Sequence, residues 1–135
     1  YPLRRQRQMC IRDRFISEID RIQIPCDEEL NDKVRAAAGA VEGLACHQGI
    51  IATGDQFVGS KDKLNRLMEE FGAVACEMEG GSIGQVCYIN KVPFTVVRAI
   101  SDNANDDAHM DYPKFLKIAV KKSFELLTEL MPLLA

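Results

Sequence analysis

The sequence predicts an α/β fold with a substantially parallel sheet, and three observations lead there. Strand-like apolar runs and helix-period runs alternate along the chain, with a helix between successive apolar strands. The run Pro93–Ile100 (PFTVVRAI) is continuous, apolar and β-branched, the pattern of a central strand covered on both faces. Three polar stretches, Thr53–Ser60, Glu77–Glu79 and Ser101–Asp107, then fall at the carboxyl ends of strands, where open α/β sheets gather their chemistry.

Each segment has its own reason. Residues 16–24 (ISEIDRIQI) alternate apolar and polar, as a strand or a docking extension would. Residues 27–38 place acids in a first turn, follow with good helix formers and meet Gly39 as a stop. Gly43–Ala52 (GLACHQGIIA) reads as a buried strand entering a turn at Thr53-Gly54-Asp55. Ser60 is placed to cap a helix whose stripe Leu64, Leu67, Met68 and Phe71 follows i, i+3, i+4, i+7 and stops at Gly72. Ala73–Cys76 is a short apolar strand, and Glu79–Ile89 has a helical pattern despite Gly80, Gly81 and Gly84 inside it. Asp111 and Pro113 suit the start of a last helix expected to run to about Met131, before Pro132.

Composition narrows the function classes. With 135 residues there is room for one domain, and 47% hydrophobic with 27% charged residues supports a packed core. The net charge of −3 speaks against a globally basic nucleic-acid binder. No apolar run approaches the roughly 20 residues that span a bilayer, and no secretory leader is expected. Five cysteines without a C-x-x-C pair point to reduced thiols and a cytoplasmic setting, with neither a disulfide framework nor zinc. The average charge hides a break. Residues 1–14 hold five arginines and one acid, a net +4, so of the 17 basic and 20 acidic residues 12 and 19 remain for 15–135, a net −7. A phosphate-seeking arm, a solvated tail and a non-native leader all fit that stretch. RQRQMCIRDR resembles translated sequencing-adapter readthrough, so residues 1–14 are expected to be a non-native leader outside the fold.

The motifs carry chemistry beside plainer readings. Glu77-Met78-Glu79 opens a helix, where acids favour the dipole. That does not explain three glycines just beyond, each costing about 1 kcal/mol inside a helix. They suggest close approach of backbone or ligand, and a carboxylate here suits vicinal sugar hydroxyls. Ser101-Asp102 ends the apolar run as either a turn pair or a general acid held by its hydroxyl neighbour. Arg98 shares a strand face with Asp102 and could pair with an acid or with substrate. Phe57 is either core packing or a stacking surface for a flat heterocycle. The acidic Asn103–Asp111 stretch lacks EF-hand spacing, with Ala104 third and Asp107 where glycine belongs. Gly54–Lys61 has the wrong order for a P-loop. No metal and no cofactor are expected.

ATGDQF (52–57), AVACEMEGGSIGQVCYINKVPF (73–94) and VVRAISDNANDDAHMDYPKF (96–115) together resemble the nucleoside phosphorylase and nucleosidase family, specifically bacterial 5′-methylthioadenosine/S-adenosylhomocysteine nucleosidases. The resemblance runs from about Pro25 to the C-terminus. It implies a three-layer α/β/α sandwich with a mixed, largely parallel sheet, incomplete on its N-terminal side, and residues 15–135 as the C-terminal part of one domain. It implies hydrolysis of the N-glycosidic bond of methylthioadenosine, S-adenosylhomocysteine and 5′-deoxyadenosine, releasing adenine in methionine salvage. Carried over by position, Phe57 would stack on adenine and the Val58 backbone would bond its edge. Met78 would pack under the ribose, Glu79 would hold its hydroxyls, and Glu77 and Arg98 would line the site. Asp102 would protonate the adenine nitrogen, oriented by Ser101, and Tyr112 would stand where the family has an aromatic lid. The family's first half, with its water-activating glutamate, has no match in residues 1–24, so little activity and an exposed sheet edge are expected of this chain. A homodimer is implied; no nucleic acid or membrane partner is. A purine nucleoside phosphorylase and a non-catalytic nucleoside-binding module are the alternatives.

Overall fold

In the computed structural model, residues 21–100 and 112–135 are described, with side chains of the last helix described from residue 115 onward. Their order is α1 (Glu28–Ala40), β1 (Ile50–Thr53), α2 (Lys61–Phe71), β2 (Ala73–Glu77), α3 (Gly80–Ile89) and α4 (Tyr112–Leu134). β1 and β2 pair in parallel. A parallel pair needs a crossover, which α2 supplies by packing on both strands, while α3 packs against β1. The fold is α/β, with the parallel pairing the sequence predicts.

The helix boundaries follow local chemistry. Asp27 caps α1 by accepting the Leu30 N–H at 2.9 Å, and Glu28 and Glu29 follow in the first turn. Ser60 caps α2 by accepting the Lys63 N–H at 3.4 Å. α2 stops at Gly72, whose φ of 65° is left-handed. α3 ends in a Schellman pattern with the Lys91 N–H on Tyr88 O at 3.1 Å and the Val92 N–H on Cys87 O at 2.9 Å. The left-handed position there is held by Lys91, φ 56°.

Two helix ends differ from expectation. α1 runs through Gly39 to Ala40, and the left-handed glycine that follows is Gly43, φ 69°. α4 continues past Pro132 to Leu134. A proline in a final turn removes one N–H and leaves the rest of the helix bonded.

Two strand expectations also need correction. The Gly43–Ala52 strand shortens to Ile50–Thr53, and its residues are half-buried or exposed. Pro93–Ile100 joins no ladder among the described residues, and Val97 and Ile100 are exposed. A strand is defined by its neighbours, and apolar character alone does not supply them. Most of 16–24 and all of Ser101–Asp111 lie outside the described residues.

The core of the described residues sits between α1 and α4. Val34, Ala37 and Ala38 on one face of α1 pack on Leu126 and Leu130, with Leu44 alongside. Lys122 of α4 closes the end of α1 by donating to Glu42 O at 2.6 Å. The extended segment after α3 ties α1 to α3. The Asp27 N–H donates to Phe94 O at 2.8 Å, and the Thr95 hydroxyl donates to Asn31 at 2.6 Å. The Phe94 ring lies so close to α3 that a Cβ on Gly84 would meet it at 2.9 Å. No described helix is long and apolar enough to cross a membrane.

Candidate functional site

β1 and β2 end side by side, and their carboxyl ends carry Thr53 and Glu77. The ladder slips between Ile50 and Ile51: Ile50 faces Ala73 and Ile51 faces Ala75. Val74 is thereby the extra residue of a bulge. The slip brings Thr53 opposite Glu77; an unbroken count from Ile50 would have set it against Cys76.

Glu77 turns inward. Its side chain is 3% exposed, and its carboxylate is bonded on every side. It accepts from the Thr53 hydroxyl, from the Glu79 N–H at 3.0 Å and from the Gly80 N–H at 2.6 Å. Arg98 Nη2 stands 3.6 Å away. The carboxylate therefore serves as the N-terminal cap of α3, satisfying donors that the helix cannot satisfy itself. Burial pushes this carboxyl up, but the Thr53 hydroxyl, the Gly80 and Glu79 N–H groups and the Arg98 charge outweigh it and hold it below the usual carboxylate range. Thr53 also accepts the Gly81 N–H at 2.9 Å.

Glu79 turns outward. Its side chain is 61% exposed and takes the Arg98 guanidinium at 2.8 Å. A carboxylate fixed by an arginine on one oxygen keeps acceptor capacity on the other for paired hydroxyls. Arg98 spans both glutamates, so the two carboxylates share one cation. The glycines permit this crowding: a Cβ on Gly81 would meet Thr53 Cβ at 2.8 Å, and one on Gly80 would meet Glu77 Oε1 at 3.0 Å. The close approach expected of that run is made between backbone and side chains.

Phe57 follows β1 in the connecting loop and is 77% exposed. It is not a core residue, and its ring lies over Gly59, where a Cβ would come within 2.9 Å. Val58 is half-buried and Met78 exposed. Glu77, Glu79 and Arg98 are thus brought together, and Phe57 and Val58 stand on the loop leading from the same strand end. Ser101 and Asp102 lie outside the described residues, as does the Tyr112 side chain at the start of α4. Thr53 is the residue to which sequence reasoning gave no role of its own, having placed it only in a turn that opens a polar stretch. Its signal is nonlocal, since its partner stands 24 positions later. Among the described residues Cys26, Cys46, Cys76 and Cys87 are free.

The sequence profile of the phosphorylase superfamily matches residues 12–132. The chain belongs to the phosphorylase superfamily. This phosphorylase-superfamily chain is 33% identical to a 5′-methylthioadenosine/S-adenosylhomocysteine nucleosidase of Mycobacterium bovis, over 89% of its own length and 52% of the relative's. It is 39% identical to an aminodeoxyfutalosine nucleosidase of Helicobacter pylori, over 87% and 50% of the two chains. The solved Neisseria meningitidis 5′-methylthioadenosine/S-adenosylhomocysteine nucleosidase, in complex with methylthio-immucillin-A, superposes with a TM-score of 0.69 at 35% identity, over 79% of this chain and 47% of that one. The chain spans about half the length of the curated relatives it matches. The superfamily match encloses every candidate site residue named above, from Thr53 to Tyr112.

Proposed function

We propose that the chain is the C-terminal, nucleoside-binding part of an N-glycosyl hydrolase that releases adenine from 5′-methylthioadenosine and S-adenosylhomocysteine. 5′-Deoxyadenosine is a further substrate in this reading, and methionine salvage its setting. The observation that carries it is the outward Glu79 carboxylate, held by Arg98 two residues past the end of the parallel strand β2.

As the glycosidic bond breaks, the sugar becomes oxocarbenium-like and the departing base gains electrons. A carboxylate beside the ribose and a proton on the base both favour that transition state over the ground state. Glu79 accepts from the ribose hydroxyls, and Met78 packs beneath the ring. Phe57 stacks on adenine while the Val58 backbone bonds its edge. Asp102, oriented by Ser101, gives the leaving nitrogen its proton, and Tyr112 covers the nucleoside. The carboxylate that activates water belongs to sequence outside these 135 residues, residues 1–14 take no part, and the full protein acts as a cytoplasmic homodimer.

Titrating methylthioadenosine and adenine into the chain tests the reading. Both bind, and adenine release stays at background. Repeating the titration with Asp102→Asn tests the acid: the variant should keep methylthioadenosine binding and lose affinity for adenine, whose ring nitrogen the acid would bond. A chain that binds neither ligand refutes the reading, and release at an ordinary enzymatic rate refutes the missing-base part. The likeness to aminodeoxyfutalosine nucleosidase favours a second reading in which aminodeoxyfutalosine is the substrate. Tighter binding of aminodeoxyfutalosine than of methylthioadenosine would establish it.

A further inference from the structure

Thr53 has the geometry of a strut. The β1–β2 register sets it opposite Glu77, and facing residues of a parallel pair present their side chains to the same side of the sheet. Its hydroxyl uses both of its capacities. It donates to Glu77 Oε1 and accepts the Gly81 N–H at 2.9 Å, so one oxygen joins the end of β1, the buried carboxylate and the first turn of α3. The approach leaves no room for water to stand in, since a Cβ on Gly81 would meet Thr53 Cβ at 2.8 Å. From Glu77 the connection continues in two directions. Glu77 Oε2 fixes the Glu79 N–H at 3.0 Å, and Arg98 stands 3.6 Å from Glu77 and 2.8 Å from Glu79.

We propose that Thr53 is a positioning residue for the nucleoside site: its hydroxyl locks Glu77 under the start of α3 and thereby holds Glu79 and Arg98 in the arrangement that receives a ribose diol. This rests on the reading of Glu79 given above. Threonine suits the task twice over. Its β-branched side chain is stiff at χ1 on a strand, and its hydroxyl both gives and takes a hydrogen bond. Valine keeps the shape and the stiffness but leaves a nearly buried carboxylate oxygen and the Gly81 N–H without a partner. An unmet group of this kind is more costly than the bond itself is favourable.

The test compares the wild-type chain with Thr53→Val and Thr53→Ser, using methylthioadenosine and free adenine as probes in calorimetric titration. Thr53→Val is expected to weaken methylthioadenosine binding about ten-fold, the scale of one net hydrogen bond. Adenine, which has no ribose, should bind Thr53→Val as it binds wild type, and Thr53→Ser should restore methylthioadenosine binding. Carbon-13 titration of the Glu77 carboxyl should show its midpoint rising in Thr53→Val and unchanged in Thr53→Ser. Equal methylthioadenosine affinity in wild type and Thr53→Val overturns the proposal and leaves the nucleoside reading standing. A wild-type chain that binds neither probe overturns the nucleoside reading and this proposal with it. If Thr53→Val does not fold, the wild-type chain supplies the test, because the Gly81 amide shift should follow the Glu77 titration through the shared hydroxyl. An amide indifferent to that titration overturns the proposal.

Discussion

Glu77 and Glu79 stand two positions apart in the sequence, yet one carboxylate is enclosed and the other faces solvent. The difference comes from what each meets at the start of α3. Glu77 lies on the strand side of the turn, where Thr53 and two backbone N–H groups converge on it. Glu79 lies one residue before α3 and caps nothing with its side chain. The net downward displacement of the Glu77 carboxyl has a definite consequence for acid stability. Its folded value lies below its unfolded value, so its contribution is fully present above the unfolded carboxylate pKa of about 4.3 and is lost as pH falls through the folded value. Thermal midpoints measured from pH 7 to pH 2.5 should therefore decline below about pH 4.3, and Glu77→Gln should make that decline shallower. Glu125, held down first of all by the Lys122 ammonium, shifts in the same direction but is far less enclosed than Glu77, with its side chain 35% exposed. Glu125→Gln should flatten the profile less. A Glu77→Gln profile as steep as wild type would contradict the assignment. The wording Glu-Met-Glu announced two acids at a helix start, and that much was legible. Which one turns inward depends on a threonine in another strand, and no local pattern contains that information.

The caps of α1 and α2 show the opposite case, in which short-range chemistry is sufficient. Asp27 and Ser60 each precede a helix by one residue and bond the N–H three positions on, so both ends could be read from neighbouring residues. Their strengths differ. The Asp27 bond is 2.9 Å, is accepted by a carboxylate oxygen, and opens the helix that carries three of the five residues of the core cluster. The Ser60 bond is 3.4 Å and opens a helix with no fully buried residue. Asp27→Ala should therefore cost about 2 kcal/mol and Ser60→Ala about 0.5 kcal/mol, the two ends of the usual range for lost caps, as measured by denaturant unfolding. Equal costs would show that the two caps contribute alike. Strands were less legible for a reason of principle. Whether Pro93–Ile100 or Gly43–Gly49 joins a ladder depends on which chain segment lies alongside, and apolar composition does not name that segment. The Val74 bulge is of the same kind: it exists only in the relation between two strands.

Across the molecule, the segment after α3 connects parts that the order of elements keeps separate. Phe94 and Thr95 hold α1 through Asp27 and Asn31, Phe94 presses on α3 at Gly84, and Arg98, three residues beyond Thr95, holds Glu79. α1 in turn carries Val34, Ala37 and Ala38 against α4. α4 exposes Leu116, Val120, Phe124, Leu127 and Met131, with Phe124 72% exposed, so an apolar face is left uncovered among the described residues. With that face exposed, an isolated preparation should need low protein concentration to stay dispersed, which light scattering checks. The segment from Phe94 to Arg98 also makes occupancy of the site a property that α1 can report. A ligand that binds only the folded arrangement of Arg98 and Glu79 draws its free energy against every opening that disturbs that arrangement. At a ligand concentration one hundred times Kd, α1 amides that exchange through such openings should slow by about a hundred-fold. Asn31→Ala, which removes the Thr95 tie without touching the site, should reduce that slowing while leaving Kd nearly unchanged. Helix α1, whose contacts with the site run through a few residues of extended chain, would then serve as a remote gauge of what the strand ends hold.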